Sequence, residues 1–204
     1  MAKPSDAREK LLKVAIDLIS RHSYSAVSVD QICEKAAVAK GSFYHFFPSK
    51  SALACAAFDE QWKDKQPQLD AIFSPQVPPL ERIRKYCESV YKNQRTMRDS
   101  TGFVCGCPFA ALGSELSTQD EDIRLKAVER FDRLSRYFES ALRDAQAEGL
   151  IEATDLKATA DAMYSMVLGM QLQGKVRNDL EFLRAMEGNL LRLIGVREAV
   201  GTIS

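Results

Sequence analysis

A chain of 204 residues, 46% of them hydrophobic and 27% charged, has the make-up of an ordinary globular protein, one large domain or a small one joined to a medium one. Its 28 Lys/Arg balance 28 Asp/Glu, which argues against a protein that coats nucleic acid through net charge, and no run approaches the ~18–20 apolar residues of a bilayer span. The N-terminus has no apolar signal core and the five cysteines are an odd set without framework spacing, so a cytoplasmic chain with reduced thiols is expected.

Helical periodicity runs almost throughout and no segment alternates with period two, which predicts an all-α fold. Over about 5–21, Leu11, Leu12, Ala15, Ile16 and Ile19 form an apolar stripe at helical spacing. Ser28 with Gln31 three residues later is a capping-box signature for a second helix that stops near Ala36. A very short third helix is expected over 40–46. Pro48 breaks the chain, and Ser49 is positioned to cap a fourth helix running to about 65, where Gln66-Pro67 punctuates it. Further helices are expected near 80–97, 108–115, 120–148, 155–175 and 179–195, with Gly149 ending the longest and a loose tail at 201–204.

The first fifty residues carry eight Lys/Arg against five Asp/Glu, a basic head on an acidic body. Within that head, residues 28–50 (SVDQICEKAAVAKGSFYHFFPSK) form a helix, a tight link and a seven-residue helix, the size of a helix-turn-helix unit. The leading end of the second helix must enter a major groove about 12 Å wide, where short side chains are useful. Lys40, Gly41 and Ser42 supply a cation, a bare backbone and a hydroxyl there, at the positive end of the helix dipole. Tyr44 and His45 present polar tips suited to phosphate or sugar, and Lys50 follows near the start of the next helix.

This segment resembles the DNA-binding domain of TetR-family repressors, whose pattern runs S/T-V-x-x-I-A-x-x-A-G-V-x-x-G-x-[FLI]-Y-x-[HYF]-F-x-x-K. Ser28, Val29, Ile32, Ala36, Val38, Gly41, Phe43, Tyr44, Phe46 and Lys50 fall on it in register. The resemblance covers about 8–62 closely and the rest more weakly. It implies an N-terminal three-helix DNA-binding domain over 1–48 and a helical effector-binding and dimerisation domain over 49–204. It also implies DNA contact by Lys40, Ser42, Tyr44, His45 and Lys50, with Phe43 and Phe46 packing the small domain. Ala37 stands where the family usually has the turn glycine, so a strained or reshaped link is expected. Ala39 replaces the usual Ser/Thr cap, at a cost of ~0.5–2 kcal/mol to the local helix. Ser23 replaces a common glycine and Cys33 a common alanine.

A single reader gives little contact area, so a homodimer on double-stranded DNA with a palindromic operator is expected. Leu183, Met186, Leu190 and Ile194, with Met163, Val167 and Met170 on the preceding helix, are the candidate dimer stripe, and Gly169 and Gly174 would allow close approach. The alternative for the same residues is intramolecular core. The family implies an effector pocket in the body, for which Tyr86, Phe109, Phe138 and Met166 are apolar candidates. Pro108 opens a helix with Cys107 as its N-cap, where the helix dipole would lower the thiol pKa. The segment Gly106-Cys107-Pro108-Phe109, with Glu115-Leu116-Ser117 further on, also resembles a TetR branch that includes electrophile- and hypochlorite-responsive repressors. There Lys175 would lie within reach of the thiol. Packing, thiol sensing and metal binding all stand open for Cys105 and Cys107. C-x-C alone is a weak ligand set and both histidines lie in the reader, so no metal or cofactor is expected. No catalytic triad, phosphate loop or HExxH helix is present, and an enzyme is not expected. The reading is a transcription regulator, a repressor released by a small-molecule or electrophilic effector.

Overall fold

The computed structural model describes residues 4–196. The expectation for the tail at 201–204 lies outside them. Helix α1 (Pro4–Arg21) buries Leu11, Leu12, Ala15 and Ile19 along one stripe and packs on α2 (Val29–Ala36). The capping box that opens α2 is complete. Ser28 Oγ accepts from Gln31 N at 3.1 Å, and Gln31 Oε1 accepts from Ser28 N at 2.8 Å. Ile32, Cys33 and Ala36 form its buried face. Helices α3 (Lys40–Phe46) and α4 (Lys50–Ile72) follow, the latter with Ser49 Oγ accepting from Ala52 N at 3.0 Å.

The same left-handed turn ends several of the helices. At the end of α2, Val38 N donates to Cys33 O and Ala37 N to Glu34 O, with Ala37 at φ 52, ψ 45. Helix α7 (Glu121–Ala147) closes through Gly149 at φ 70, and α8 (Leu156–Arg177) through Asn178 at φ 51, with matching bonds. This Schellman geometry favours Gly and tolerates Asn. Only α2 asks it of an alanine, whose Cβ crowds the following carbonyl.

Helix α4 passes through Pro67, where the sequence predicts a stop. A helix-interior proline costs about 3 kcal/mol and frees a carbonyl one turn earlier. Lys63, whose carbonyl is the one freed, is exposed, so water can take it. Leu69 and Phe73 are buried just beyond, and burial worth about 1.5–3 kcal/mol each offsets the cost.

Helix α5 (Pro79–Thr101) starts on a proline at its first turn and ends on Gly102 at φ 82. Arg82, almost wholly buried, ties the preceding turn to α7. Its Nε donates to Val77 O at 2.7 Å, Nη1 to Asp144 Oδ2 at 2.5 Å and Nη2 to Pro75 O at 3.2 Å. Helix α6 is Pro108–Leu116. The segment expected as one last helix over 179–195 is instead a 3-10 turn, Glu181–Ala185, leading into α9 (Met186–Leu193).

Packing divides the chain into two compact units. One is the chain up to Gln68 with Cys107–Arg130, and the other is Leu69–Gly106 with the chain from Phe131 onward. The reader therefore shares a unit with α6 and the first part of α7.

The alanine in the left-handed turn yields a stability expectation. Ala37 is exposed, so Ala37→Gly removes backbone strain without removing packing. The gain is about 1 kcal/mol after the extra unfolded-state entropy of glycine is subtracted. Thermal melts should show Tm higher by roughly 2–4 °C; an unchanged or lower Tm would mean that the turn is not strained.

Candidate functional site

Seven residues make too short a helix to stand alone, and α3 has no side-chain cap at Ala39. Two rings hold it. Phe43 is fully buried, 5.0 Å from Tyr44 and 6.1 Å from Phe47 between ring centroids, and the Arg8 guanidinium lies 5.5 Å over Phe47. Phe46, expected to pack the small domain, is half-buried; Phe47, just past the helix, takes the inner place.

With Phe43 turned inward, Lys40, Gly41, Tyr44 and His45 are exposed and Ser42 is half-buried. Tyr44 keeps 53% of its surface in water, unusual for so large a ring on a core-packed helix. The space above Gly41 is open, with no atom within 4 Å of where a Cβ would stand. Lys40 Nζ rests on Asp30 Oδ1 at 2.7 Å, and that hydrogen bond, followed by the aspartate charge, raises its pKa. Both side chains are well exposed, so this pair is readily exchanged for another anion.

Lys50 faces elsewhere. Its ammonium donates to Tyr24 O at 2.9 Å and Val27 O at 2.8 Å and lies 3.9 Å from the centroid of the Tyr24 ring. Two of its three donors are thus committed to the loop between α1 and α2. Burial lowers its pKa against the opposing charge of Glu115. Glu115, on α6, grips the same loop from the other side of the peptide groups. Its Oε2 accepts from Tyr24 N at 2.9 Å and its Oε1 from Ser25 N at 2.8 Å. Burial works to raise the Glu115 pKa, but the bonds to Ser25 and Tyr24 and the charge of Lys50 outweigh it, and the net shift is downward. Partners some ninety positions apart leave no local signature, so sequence reading missed Glu115 in this role.

The effector candidates fall into separate groups. In the unit holding the reader, Phe109 packs 4.3 Å from Phe58, and the Arg130 guanidinium lies 4.7 Å from Phe109 and 4.2 Å from Trp62. Cys107 caps α6 there, but its thiol does not behave as the helix dipole alone predicts. Burial raises its pKa above the ordinary thiol value, and the amides of Ala110 and Phe109 with the charge of Arg130 only partly oppose it. Desolvation of the thiolate wins over the dipole, which corrects the expected lowering.

In the other unit, Tyr86 stands edge-on to Phe138 at 5.0 Å, with Phe73 and Tyr164 completing an aromatic core. Met166 is half-buried and Lys175 exposed. Cys105 is buried in a tightly bonded loop. Gln94, itself buried and unforeseen, accepts from Cys105 N at 3.1 Å and Gly106 N at 2.9 Å and donates to Gly106 O at 2.9 Å. Gly106, at φ 72, leaves a Cβ only 3.4 Å from Gln171 O and from the Lys175 side chain.

The stripe expected at a dimer face is core of this same unit. Met163, Val167, Met170, Leu183, Met186, Leu190 and Ile194 are all buried within one chain. Gly174 makes its close approach to Leu183 of its own chain, with a Cβ position 3.2 Å away. What α8 leaves outside is Leu172, 60% exposed, and Val176, 78% exposed, with open space at Gly169 one turn earlier.

An exposed, groove-sized helix packed against α1 and α2 has the arrangement of a helix-turn-helix DNA-binding regulator. The description "Bacterial regulatory proteins, tetR family" matches residues 11–57, and "Tetracyclin repressor-like, C-terminal domain" matches 79–187. The chain belongs to the TetR family of DNA-binding transcription regulators. Regulators of this family act as dimers. An HTH-type transcriptional regulator of Lactococcus lactis subsp. lactis is 29% identical over 181 residues, 88% of this chain and 89% of its own. The HTH-type transcriptional repressor NemR of Escherichia coli (strain K12) is 26% identical over 182 residues, 86% of this chain and 87% of its own. The crystal structure of a TetR regulatory protein from Rhodobacter sphaeroides superposes with a TM-score of 0.81 at 27% identity, over 92% of this chain and 98% of that one. Among the described residues no helix is long and apolar enough to cross a membrane.

The raised thiol pKa sets a reactivity. Cys107 stays protonated at neutral pH, so its alkylation by iodoacetamide is expected to be slower at pH 7 than that of an unperturbed cysteine. The rate should still be rising beyond the ordinary thiol range, as followed by peptide mass spectrometry. A rate that levels off below pH 8 would show that the dipole dominates after all.

Proposed function

We propose that this regulator is a dimeric repressor that reads a palindromic operator with two copies of α3 and is released by a small-molecule or thiol-reactive effector. The observation that carries the reading is the outer face of α3, where Lys40, Gly41, Ser42, Tyr44 and His45 sit together over the buried Phe43. Cations and hydroxyls on that face suit phosphate, and the open backbone at Gly41 suits close approach to base edges. Lys50 acts from behind, holding the loop that leads into α2, with one remaining donor for phosphate.

Seven residues of helix cannot supply operator specificity alone, and two-fold pairing doubles the contacts. The dimer face in this reading is the outer side of α8, with Leu172 and Val176 one turn apart. Release places the effector against the body. Cys107 with Arg130 and the Phe109 and Trp62 rings offers a thiol to an activated alkene, whose C=C π bond breaks as the S–C bond forms, the neighbouring carbon taking a proton from water as the thiol gives one up. The repressor name of the Escherichia coli relative supports the direction of control.

Selection from random duplexes should recover a palindrome bound in a salt-sensitive manner, and failure to recover any duplex would end the operator reading. Lys40→Ala should weaken binding and lower the log–log salt slope by about two, one contact per protomer. Leu172→Glu with Val176→Glu should give monomers in sedimentation and lose the palindrome; a dimer that persists would move the interface elsewhere. Cys107→Ser should still bind DNA but no longer be released by N-ethylmaleimide. A normal response from that variant would make Cys107 a packing residue.

A further inference from the structure

We propose that Glu115 is the positioning residue through which α6 controls the DNA reader. The proposal rests on the regulator reading and deepens it by naming the part that moves. The loop between α1 and α2 has little packing of its own, since only Val27 within 22–27 is buried. It is held by two polar grips that share the Tyr24–Ser25 peptide, one on its N–H and the other on its carbonyl. Glu115 takes the N–H groups of Tyr24 and Ser25, and Lys50 takes the carbonyls of Tyr24 and Val27. Val27 is followed directly by Ser28, the N-cap that fixes the start of α2. Helix α2 in turn is joined to α3 by the bonded left-handed turn at Ala37. A displacement of Glu115 is thus passed through stiff links to the reading helix.

The other end of α6 is Cys107, the N-cap. A helix of nine residues spans about 13 Å, so a change at the thiol and the grip on the loop lie at opposite ends of one rigid rod. Its seat is tight. A Cβ at Gly113 would stand 3.0 Å from Ala127 Cβ on α7, so one added methyl crowds that contact and α6 or α7 must give by a few tenths of an ångström. Gly113→Ala therefore displaces α6 without any effector. A carboxylate that merely stapled the loop would stabilise the fold yet leave operator affinity indifferent to where α6 sits.

The test is a double-mutant cycle on the full chain, using the tightest duplex recovered by selection as the probe. Gly113→Ala should weaken binding by about tenfold in the native background. In the Glu115→Ala background the same methyl should change affinity by less than about twofold, because the link is already cut. Glu115→Gln, which keeps one acceptor, should fall between. Effects that simply multiply would overturn the proposal. Gly113→Ala with Ala127→Gly removes the clash and should restore affinity; failure to do so would assign the loss to misfolding and overturn the mechanical reading. Hydrogen exchange at the Tyr24 and Ser25 amides supplies a readout without DNA. Both should be protected in the native protein and exchange at least about tenfold faster in Gly113→Ala and in Glu115→Ala. Equal rates in all three would sink the link even if DNA binding stands, whereas faster exchange with no duplex recovered would leave the link standing and remove the regulator reading.

Discussion

A seven-residue helix is unstable in water, and every part of the reader is arranged around that fact. Helix α3 lacks the length for cooperative stability and the side-chain cap that would satisfy its first amides. What fixes it is the burial of Phe43, with Phe47 just beyond the helix. Because one short turn carries the inward ring, the residues on either side of it are forced outward, and Lys40, Gly41, Tyr44 and His45 share one exposed face. The functional surface is thus a by-product of the packing. A larger hydrophobic anchor on α3 would cost it the groups it shows to solvent.

Glu115, Lys50 and Cys107, all in the unit that contains the reader, set burial against neighbouring donors or charges, and the outcome differs among them. At Glu115 the bonds to Tyr24 and Ser25 with the Lys50 charge win, and the carboxylate stays ionised. At Lys50 burial wins over the Glu115 charge, and the pKa is lowered. At Cys107 burial wins over two amides and Arg130, and the thiol keeps its proton. The difference is one of partners. A carboxylate that receives direct N–H donors at both oxygens is compensated for its lost water, whereas the Ala110 and Phe109 amides do not make up for the burial of the Cys107 thiol. A capping position therefore does not by itself make a reactive cysteine.

Helix positions were legible in the sequence because they depend on local periodicity and capping. The capping box at Ser28, the short third helix and the left-handed turn at Gly149 follow from neighbours within a few residues. The family could be read from the 28–50 segment for the same reason. Long-range matters were not legible. Pro67 reads as a stop because its cost is local, while the burial of Leu69 and Phe73 that offsets it is tertiary. Phe46 and Phe47 are adjacent aromatics, and only the exit direction of the chain decides which turns inward. Glu115 and Gln94 hold backbone groups far away or in an irregular loop, where no spacing rule applies.

Helix α8 shows how far periodicity can be pressed. Apolar residues spaced by three and four say that a face is covered, without saying by what. Met163, Val167 and Met170 are covered by the chain's own 3-10 turn and α9, with Gly174 fitted against Leu183. Once those are assigned to the core, the residues left over become informative. Leu172 and Val176 remain exposed on a helix whose inner face is already satisfied, and Gly169 adds no bulk between them and the preceding turn. An isolated exposed leucine needs no explanation, but two large aliphatics at i and i+4 beside an open glycine make a ridge with a notch. It is these leftover apolar residues, and not the stripe the core consumed, on which the proposed pairing of two copies rests.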